Sequence, residues 1–415
     1  MESKNSEYQN ESETYKKYSS IITSAGKSPC DPYYGFSTKA IHSGQTIEAV
    51  HGCVNTPIYL SSTYAQKEPG SLFSTYDYSR CGNPTRTAFD DCMAALEHAK
   101  FGMSFSSGCA ALTCVCLCLT TGDHVICCDD VYGGTQRYLR EIAAKRCNLL
   151  VDFVDLTDME AVEKARKPET KLIIIETPTN PTMKICDIQK LCDWAKKHKI
   201  LSLVDNTFAS PYLQSPILLG ADICLNSCTK YIGGHCDVIM GTLTLNDKDL
   251  KDRLYFVQKT FGGTPSPFES YLALRGLKTL KLRMEEHCKN AQILAEFLVN
   301  HPKIEKVCYP GLKTHANHDV ARKQMRGFGG MISIYLKGDL DAVKKLCRNL
   351  KVFICAESLG GVESLIQVPA IMTHASVPLE IRTKLGIGDN LVRISVGIES
   401  VEDLLKDLEQ GLDSL

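Results

Sequence analysis

Ile200-Leu-Ser-Leu-Val-Asp205-Asn-Thr207 and, fifteen residues on, Asp222-Ile-Cys-Leu-Asn226-Ser-Cys-Thr-Lys230 share one pattern: a short apolar run that breaks off at a polar cluster. Runs this short and this continuous read as strands buried on both faces. The pattern recurs in Lys171–Thr177, which runs into Glu176-Thr-Pro-Thr-Asn180-Pro, and in His124–Asp130, Leu149–Asp155 and Val238–Leu245. Helical periodicity fills several of the gaps. It is clearest in Asp187–Lys197, where Ile188, Leu191, Trp194 and Ala195 fall on one face. Strand, helix and strand at this spacing require crossover connections, and hence an α/β fold with a mostly parallel sheet.

Outward from this block the character changes. From Ser266 a largely helical stretch runs to Asn300 and stops at His301-Pro302. Strand-like runs at Met331–Leu336, Val352–Cys355 and Leu391–Val396, with helices Leu340–Asn349 and Val401–Leu412, predict a smaller α+β domain. Upstream, residues 36–77 read as an extended arm and residues 1–35 as a disordered leader. The 415 residues are 44% hydrophobic and 23% charged, ample for a large core. A net charge of -1 removes the global basic field of a nucleic-acid coat. The longest apolar run, Cys109–Leu119, is about half the ~20 residues of a membrane span, so no membrane is expected. The 20 cysteines include no C-x-x-C, and His315 and His318 have no thiol at ligand spacing, so no metal is expected. Many of them, such as Cys114, Cys116 and Cys118, sit in apolar runs as small hydrophobes. The first thirty residues lack an apolar signal region and carry Glu2, Glu7, Glu11 and Glu13. A reducing cytosol is the expected compartment.

In an open parallel sheet, ligands bind beyond the carboxyl ends of the strands. An Asp or a Lys at such an end, taken singly, is as readily a helix cap or a solvated charge. Asp205 and Lys230 reach that edge from separate strands and can converge on one ligand. A lysine amine condenses with an aldehyde, and an aspartate opposite a pyridine nitrogen keeps that ring protonated as an electron sink. The cofactor implied is pyridoxal 5′-phosphate. Its phosphate needs a cradle. Phe101–Phe105 reads as a strand, and Ser106-Ser107-Gly108-Cys109-Ala-Ala-Leu after it enters a helix whose N-terminus offers free N–H groups. Many ordinary turns share that composition. Ser227 and Thr229 flank the lysine as hydroxyl donors, and Tyr132, in Asp129-Asp130-Val-Tyr132-Gly133-Gly134, follows another strand end and could stack on a ring. No G-x-G-x-x-G follows a strand, and neither G-x-x-x-x-G-K-[ST] nor G-x-S-x-G occurs, which removes the Rossmann, P-loop and nucleophile-elbow readings.

Tyr78-Ser-Arg80-Cys-Gly-Asn-Pro-Thr-Arg, the Asp205-Asn-Thr207 turn and Ser227-Cys-Thr229-Lys230-Tyr together resemble the Cys/Met-metabolism group of PLP enzymes. So do Ala356-Glu357-Ser358-Leu-Gly-Gly, Pro369-Ala-Ile-Met-Thr373-His-Ala-Ser and Arg393-Ile-Ser-Val-Gly. The resemblance spans about residues 36 to 413. It implies an aspartate-aminotransferase-like fold type I: a PLP-binding large domain over 78–280 with a seven-stranded, mostly parallel sheet, and a C-terminal α+β domain over 281–415. It implies a lyase acting at the Cγ–S bond of a sulfur amino acid such as cystathionine. Lys230 is then the cofactor-binding lysine and proton carrier, Asp205 (with Thr207 in the same turn) the ring-nitrogen partner, and Tyr132 the stacking residue. Gly108 and Cys109 N–H groups with Ser227 and Thr229 hold the phosphate. Tyr78 and Arg80 serve the neighbouring subunit's phosphate, which implies a homotetramer built from dimers. Arg393 forks onto the substrate carboxylate, with Arg137, Asn180, Glu357, Ser358 and Thr373 on the substrate side. The cationic cofactor and the neighbouring arginines should depress the pKa of both Lys230 and Tyr132. Two positions depart from the family's usual pattern: Cys109, where Leu or Met is common, and Cys228, where Ala is common. A family member without catalysis, acting as a scaffold, would lack Lys230, Asp205 or Arg393, and all three are present.

Overall fold

The structure, a computed structural model, describes residues 35–415; the leader expected over 1–35 lies, Gly35 apart, outside the described residues. After a helix at Phe36–His42 the arm has little regular structure beyond a small hairpin of β1 (Gln66–Glu68) and β2 (Ser71–Leu72). The large sheet follows: β3 (Phe101–Phe105), β4 (His124–Cys128), β5 (Leu150–Val154), β6 (Thr170–Glu176), β7 (Leu201–Asp205), β8 (Ile223–Ser227) and β9 (Gly241–Leu245). Its seven strands lie in the order 3-9-8-7-6-4-5. Strands β4 to β8 are mutually parallel, and β9 runs antiparallel to both β3 and β8. The reversal follows from the connection. A parallel return needs a crossover of a dozen or more residues, usually a helix, and no helix forms between β8 and β9. The strand expected from Val238 starts only at Gly241 because Met240 pairs with Thr229 instead: Thr229 N–H donates to the Met240 carbonyl at 3.3 Å, and Met240 N–H to Thr229 Oγ1 at 3.1 Å.

The apolar runs are buried on both faces. Val125, Ile126, Ile173, Ile175, Leu203 and Val204 are fully enclosed, each contributing about 1.5–3 kcal/mol. Helix Ile188–Lys197 starts where Asp187 accepts the Lys190 N–H at 3.0 Å, and it buries Ile188, Leu191, Cys192 and Ala195. Trp194, expected on that face, is half-buried because its indole N–H reaches Glu163 Oε2 at 2.7 Å.

The helical stretch after Ser266 is two helices, Pro267–Leu277 and Leu280–Val299. Leu280 and Met284 of the second pack with Phe89 and Ala273, whereas Ala291, Leu294, Ala295 and Leu298 belong to the core of the smaller sheet. That sheet comprises β10 (Ile304–Cys308), β11 (Met331–Leu336), β12 (Ile354–Cys355), β13 (Leu365–Gln367) and β14 (Leu391–Ser395), in the order 10-11-14-13-12. Strands β10 and β13 were not foreseen. The first carries Glu305 and Lys306 on exposed positions, and the second is only three residues long. Among the described residues no helix is long and apolar enough to cross a membrane, and no metal-ligand cluster is present.

Candidate active site

The ends of β3, β4, β6, β7 and β8 open on one cavity of about 330 Å³, closed from the other side by β14 and the segment around Glu357. Gly108, Cys109, Tyr132, Asn180, Asp205, Thr207, Ser227, Thr229, Lys230, Glu357, Ser358, Thr373 and Arg393 all line it. Arg137 does not. It is exposed near the rim, with Nη1 donating to Ser376 Oγ at 3.3 Å. Tyr78 and Arg80 also lie outside this chain's cavity, exposed, with the Arg80 guanidinium 5.4 Å from the Tyr78 ring centroid. The rest of their motif builds the turn that presents them. Asn83 caps helix Pro84–Leu96 by accepting the Thr85 and Arg86 N–H groups, and Arg86 donates to the Ser79 carbonyl at 2.6 Å.

Lys230 sits in the tight loop after β8. Gly234 N–H closes that loop on the Lys230 carbonyl at 2.8 Å, and buried Arg283 donates to the Tyr231 carbonyl at 2.6 Å. Gly234 has φ +74, and a Cβ there would stand 2.2 Å from Arg283 Nη1, so only glycine fits. The Lys230 amine donates to Ser358 Oγ at 2.7 Å. Burial, and then the Arg393 charge, bring its pKa down to about 8. Ser358 has φ +85, a left-handed conformation uncommon outside glycine. Two residues on, Gly360 packs so closely on the lysine backbone that a Cβ there would lie 2.7 Å from Tyr231 N. Cys228, beside the lysine, is fully enclosed, and burial pushes its thiol well up, which makes it inert.

Asp205 accepts from Thr207 twice, from N–H at 3.0 Å and Oγ1 at 2.5 Å, and burial raises its carboxyl above the ordinary range. Thr207 Oγ1 also accepts the Ser227 N–H at 2.9 Å, tying the ends of β7 and β8 together. Tyr132 is followed by two glycines for a steric reason. A Cβ at Gly134 would lie 2.4 Å from the Tyr132 ring, and one at Gly133 would lie 2.3 Å from the Thr373 carbonyl oxygen. In this site the pKa of the Lys230 amine is lowered and that of the Tyr132 phenol is raised. Burial and Cys109 raise the phenol, outweighing Arg137 and Arg393. Arg393 is buried, with Nη1 donating to Asn180 Oδ1 at 3.0 Å and Nη2 to the Ser358 carbonyl at 2.6 Å, and its Nε has no partner. Sequence reasoning passed over Glu176, a buried carboxyl that lines the same cavity. Its position at a strand end, between apolar residues and a Thr-Pro turn, was the available signal.

The cradle can take a phosphate. Helix Gly108–Cys116 starts in the cavity, and a Cβ at Gly108 would stand 3.2 Å from Ser227 Cβ, so glycine keeps its N-terminus open. An amine that loses its proton near neutral pH shares the space with a buried carboxylate, and this suits a ring with an aldehyde, a basic nitrogen and a phosphate. The fold and the cavity therefore define a pyridoxal 5′-phosphate enzyme of fold type I. The chain belongs to the Cys/Met metabolism PLP-dependent enzyme family, whose profile matches residues 37–413. It is 51% identical to the cystathionine gamma-lyase of Dictyostelium discoideum over 380 residues, covering 92% of this chain and 98% of that one. It is 49% identical to the cystathionine beta-lyase of Coxiella burnetii, covering 90% and 97%. The crystal structure of cystathionine gamma synthase from Xanthomonas oryzae pv. oryzae in complex with cystathionine has a TM-score of 0.89 at 42% identity, covering 92% of this chain and 98% of that one.

Proposed function

We propose that the protein cleaves the Cγ–S bond of L-cystathionine, consuming water and giving L-cysteine, 2-oxobutanoate and ammonia. The observation that carries this reading is the placing of Glu357 and Arg393 on one cavity. Arg393 is a buried fork suited to the substrate carboxylate, and Glu357 is an exposed carboxylate whose charge reaches Lys230, Tyr132 and Arg393. A carboxylate there suits the distal ammonium of cystathionine, which methionine lacks.

Lys230 would join the cofactor, Asp205, its carboxyl fixed by Thr207, would serve the ring nitrogen, and Tyr132 would stack on the ring. Gly108 and Cys109 N–H groups, with Ser227 and Thr229, would hold the phosphate. The bound cofactor would supply an electron sink for negative charge at Cα. Lys230 Nζ, with a pKa near 8, takes the proton from Cα and later one from Cβ. The departing γ-sulfur needs a proton. Tyr132 fits as its donor, because the raised phenol stays protonated. Asn180 and Ser358 hold Arg393 in place, while Thr373 and Arg137 border the substrate side. Tyr78 and Arg80, exposed and off this chain's cavity, serve a neighbouring subunit in a homotetramer built from dimers. With cysteine or homocysteine the same groups would release hydrogen sulfide. The nineteen cysteines among the described residues are all unpaired, which suits a reducing cytoplasm.

Incubation with pyridoxal phosphate and L-cystathionine tests the reading. Cysteine with 2-oxobutanoate is expected, whereas homocysteine with pyruvate would overturn the role given to Glu357. The likeness to a cystathionine gamma synthase supports a second reading, replacement at Cγ, which an O-acylated homoserine and cysteine would reveal by forming cystathionine.

A further inference from the structure

We propose that Glu176 is a positioning residue that works as an uncharged carboxylic acid, fixing the backbone of Tyr132 and leaving Asp205 as the one ionised carboxylate against the cofactor ring. The inference rests on the reading that Asp205 faces the ring nitrogen. Glu176 ends β6 and Asp205 ends β7, and the two are register partners on neighbouring parallel strands. Such partners point to the same face of a sheet, here into the same cavity. Both Glu176 oxygens accept from the Tyr132 N–H, at 3.1 and 3.2 Å, and the Asn180 N–H adds a further bond. The stacking residue and the segment carrying Asn180 are therefore anchored on one carboxyl.

The titratable and charged groups around Glu176 come from three strands and the loop after one of them. Asp205 belongs to β7, Asp130 follows β4, Cys127 lies on β4 and Arg393 on β14. The arginine already donates to Asn180 and Ser358. Adjacent carboxyls in a buried site do not both ionise. A protonated ring nitrogen would favour the charge on Asp205, so the shared site leaves the proton on Glu176. Burial, Asp205 and Asp130 push Glu176 well above the ordinary carboxylate range, against the N–H bonds from Tyr132 and Asn180.

Glu176→Gln keeps the shape and an acceptor for Tyr132 N–H, and is neutral at every pH. In the holoenzyme, cofactor affinity should stay within about threefold of wild type, with the pH curve of the cofactor absorbance unmoved. The infrared difference spectrum against wild type at about pH 7.5 should show one lost carboxylic-acid C=O band. Glu176→Ala, which removes the anchor, should weaken cofactor binding by about tenfold or more. The proposal is overturned if no acid band is lost, or if Glu176→Gln moves the absorbance midpoint by about one pH unit, as loss of a real charge beside Asp205 would. Should that variant not fold, the 13C-glutamate-labelled holoenzyme carrying Glu97→Gln keeps the test, because Glu97 is another buried glutamate held near neutrality. An acid band persisting there at about pH 8.5 supports the proposal and its absence refutes it. None of these readouts uses cystathionine, so failure of the substrate assignment leaves them intact. Full cofactor affinity and an unchanged spectrum in Asp205→Ala would instead sink the ring-nitrogen reading.

Discussion

Replacing Lys230 with methionine should abolish turnover and yet stabilise the cofactor-free protein. Lys230 is held in the folded state at a pKa of about 8, down from 10.5, mainly by burial. The unfolded chain takes up a proton below 10.5, whereas the native chain does so only near 8. Unfolding therefore binds a proton between those values, and stability rises with pH across that window. Below pH 8 both states are protonated and the full penalty applies, on the order of 3 kcal/mol at about 1.4 kcal/mol per pH unit. Methionine removes the charge and keeps an apolar stem, but it loses the charge-assisted bond to Ser358 Oγ, worth about 1.5–2 kcal/mol. A net gain of about 1–2 kcal/mol is expected near pH 7, shrinking to zero or reversing at about pH 10.5. Urea unfolding of both cofactor-free proteins at these two pH values, at one protein concentration, gives the double difference in which all other titrating groups cancel. A stability gap that is the same at both pH values, or a variant less stable at pH 7, would refute the assignment of Lys230 as a buried, deprotonation-prone amine.

Three further outcomes are expected. Arg393→Lys loses the fork held by Asn180 and the Ser358 carbonyl, so KM for an amino-acid substrate should rise about 30- to 100-fold with the cofactor still bound, as steady-state kinetics will read. Gly134→Ala places a methyl against the Tyr132 ring at 2.4 Å. It should lower kcat and shift the cofactor absorbance while costing only about 1–3 kcal/mol of stability in a melt. Mixing the inactive Arg80→Ala and Lys230→Ala variants under subunit-exchange conditions should restore activity, up to about a quarter of wild type, because hybrid dimers regain one intact site; no recovery would assign Arg80 to its own chain.

The parallel core was legible because its strands are enclosed on both faces, which leaves a continuous apolar run in the sequence. Asp205, Ser227 and Lys230 were legible for the same reason, since a polar residue that ends such a run has few places to go but the carboxyl edge of the sheet. The antiparallel direction of β9 was hidden, because it depends on whether the residues after Lys230 form a crossover helix, and they form none. Strands β10 and β13 carry exposed charge or are too short for a period to show. The substrate side of the site, at Glu357, Ser358 and Arg393, has no strand-end signature of its own. It became visible only through the family resemblance, because the second sheet brings it to the cavity. Glu176 escaped for the opposite reason: it looks like any strand-end residue until its register partner on the next strand is known.

Ser358 links the halves of the site. Its hydroxyl accepts from Lys230 and its carbonyl from Arg393, with its backbone in a left-handed conformation. Strain of this kind costs on the order of 1 kcal/mol and persists only where the surroundings over-determine it. What it secures is the proximity of two cations, and the Arg393 charge is the second cause, after burial, of the lowered pKa at Lys230. On the proposed chemistry, a substrate carboxylate docked on Arg393 cancels much of that charge. Coulomb's law then makes the released Lys230 amine a stronger base once substrate is seated than it is in the empty site. Basicity is thereby coupled to occupancy through one guanidinium. The coupling predicts that in Arg393→Gln, which removes the charge and keeps a polar side chain, the proton-transfer step loses its dependence on the substrate carboxylate. A carboxamide analogue, turned over far more slowly than the acid by the wild type, should then be discriminated much less by the variant in single-turnover kinetics. Equal discrimination by both proteins would show that Arg393 binds the carboxylate without tuning the lysine.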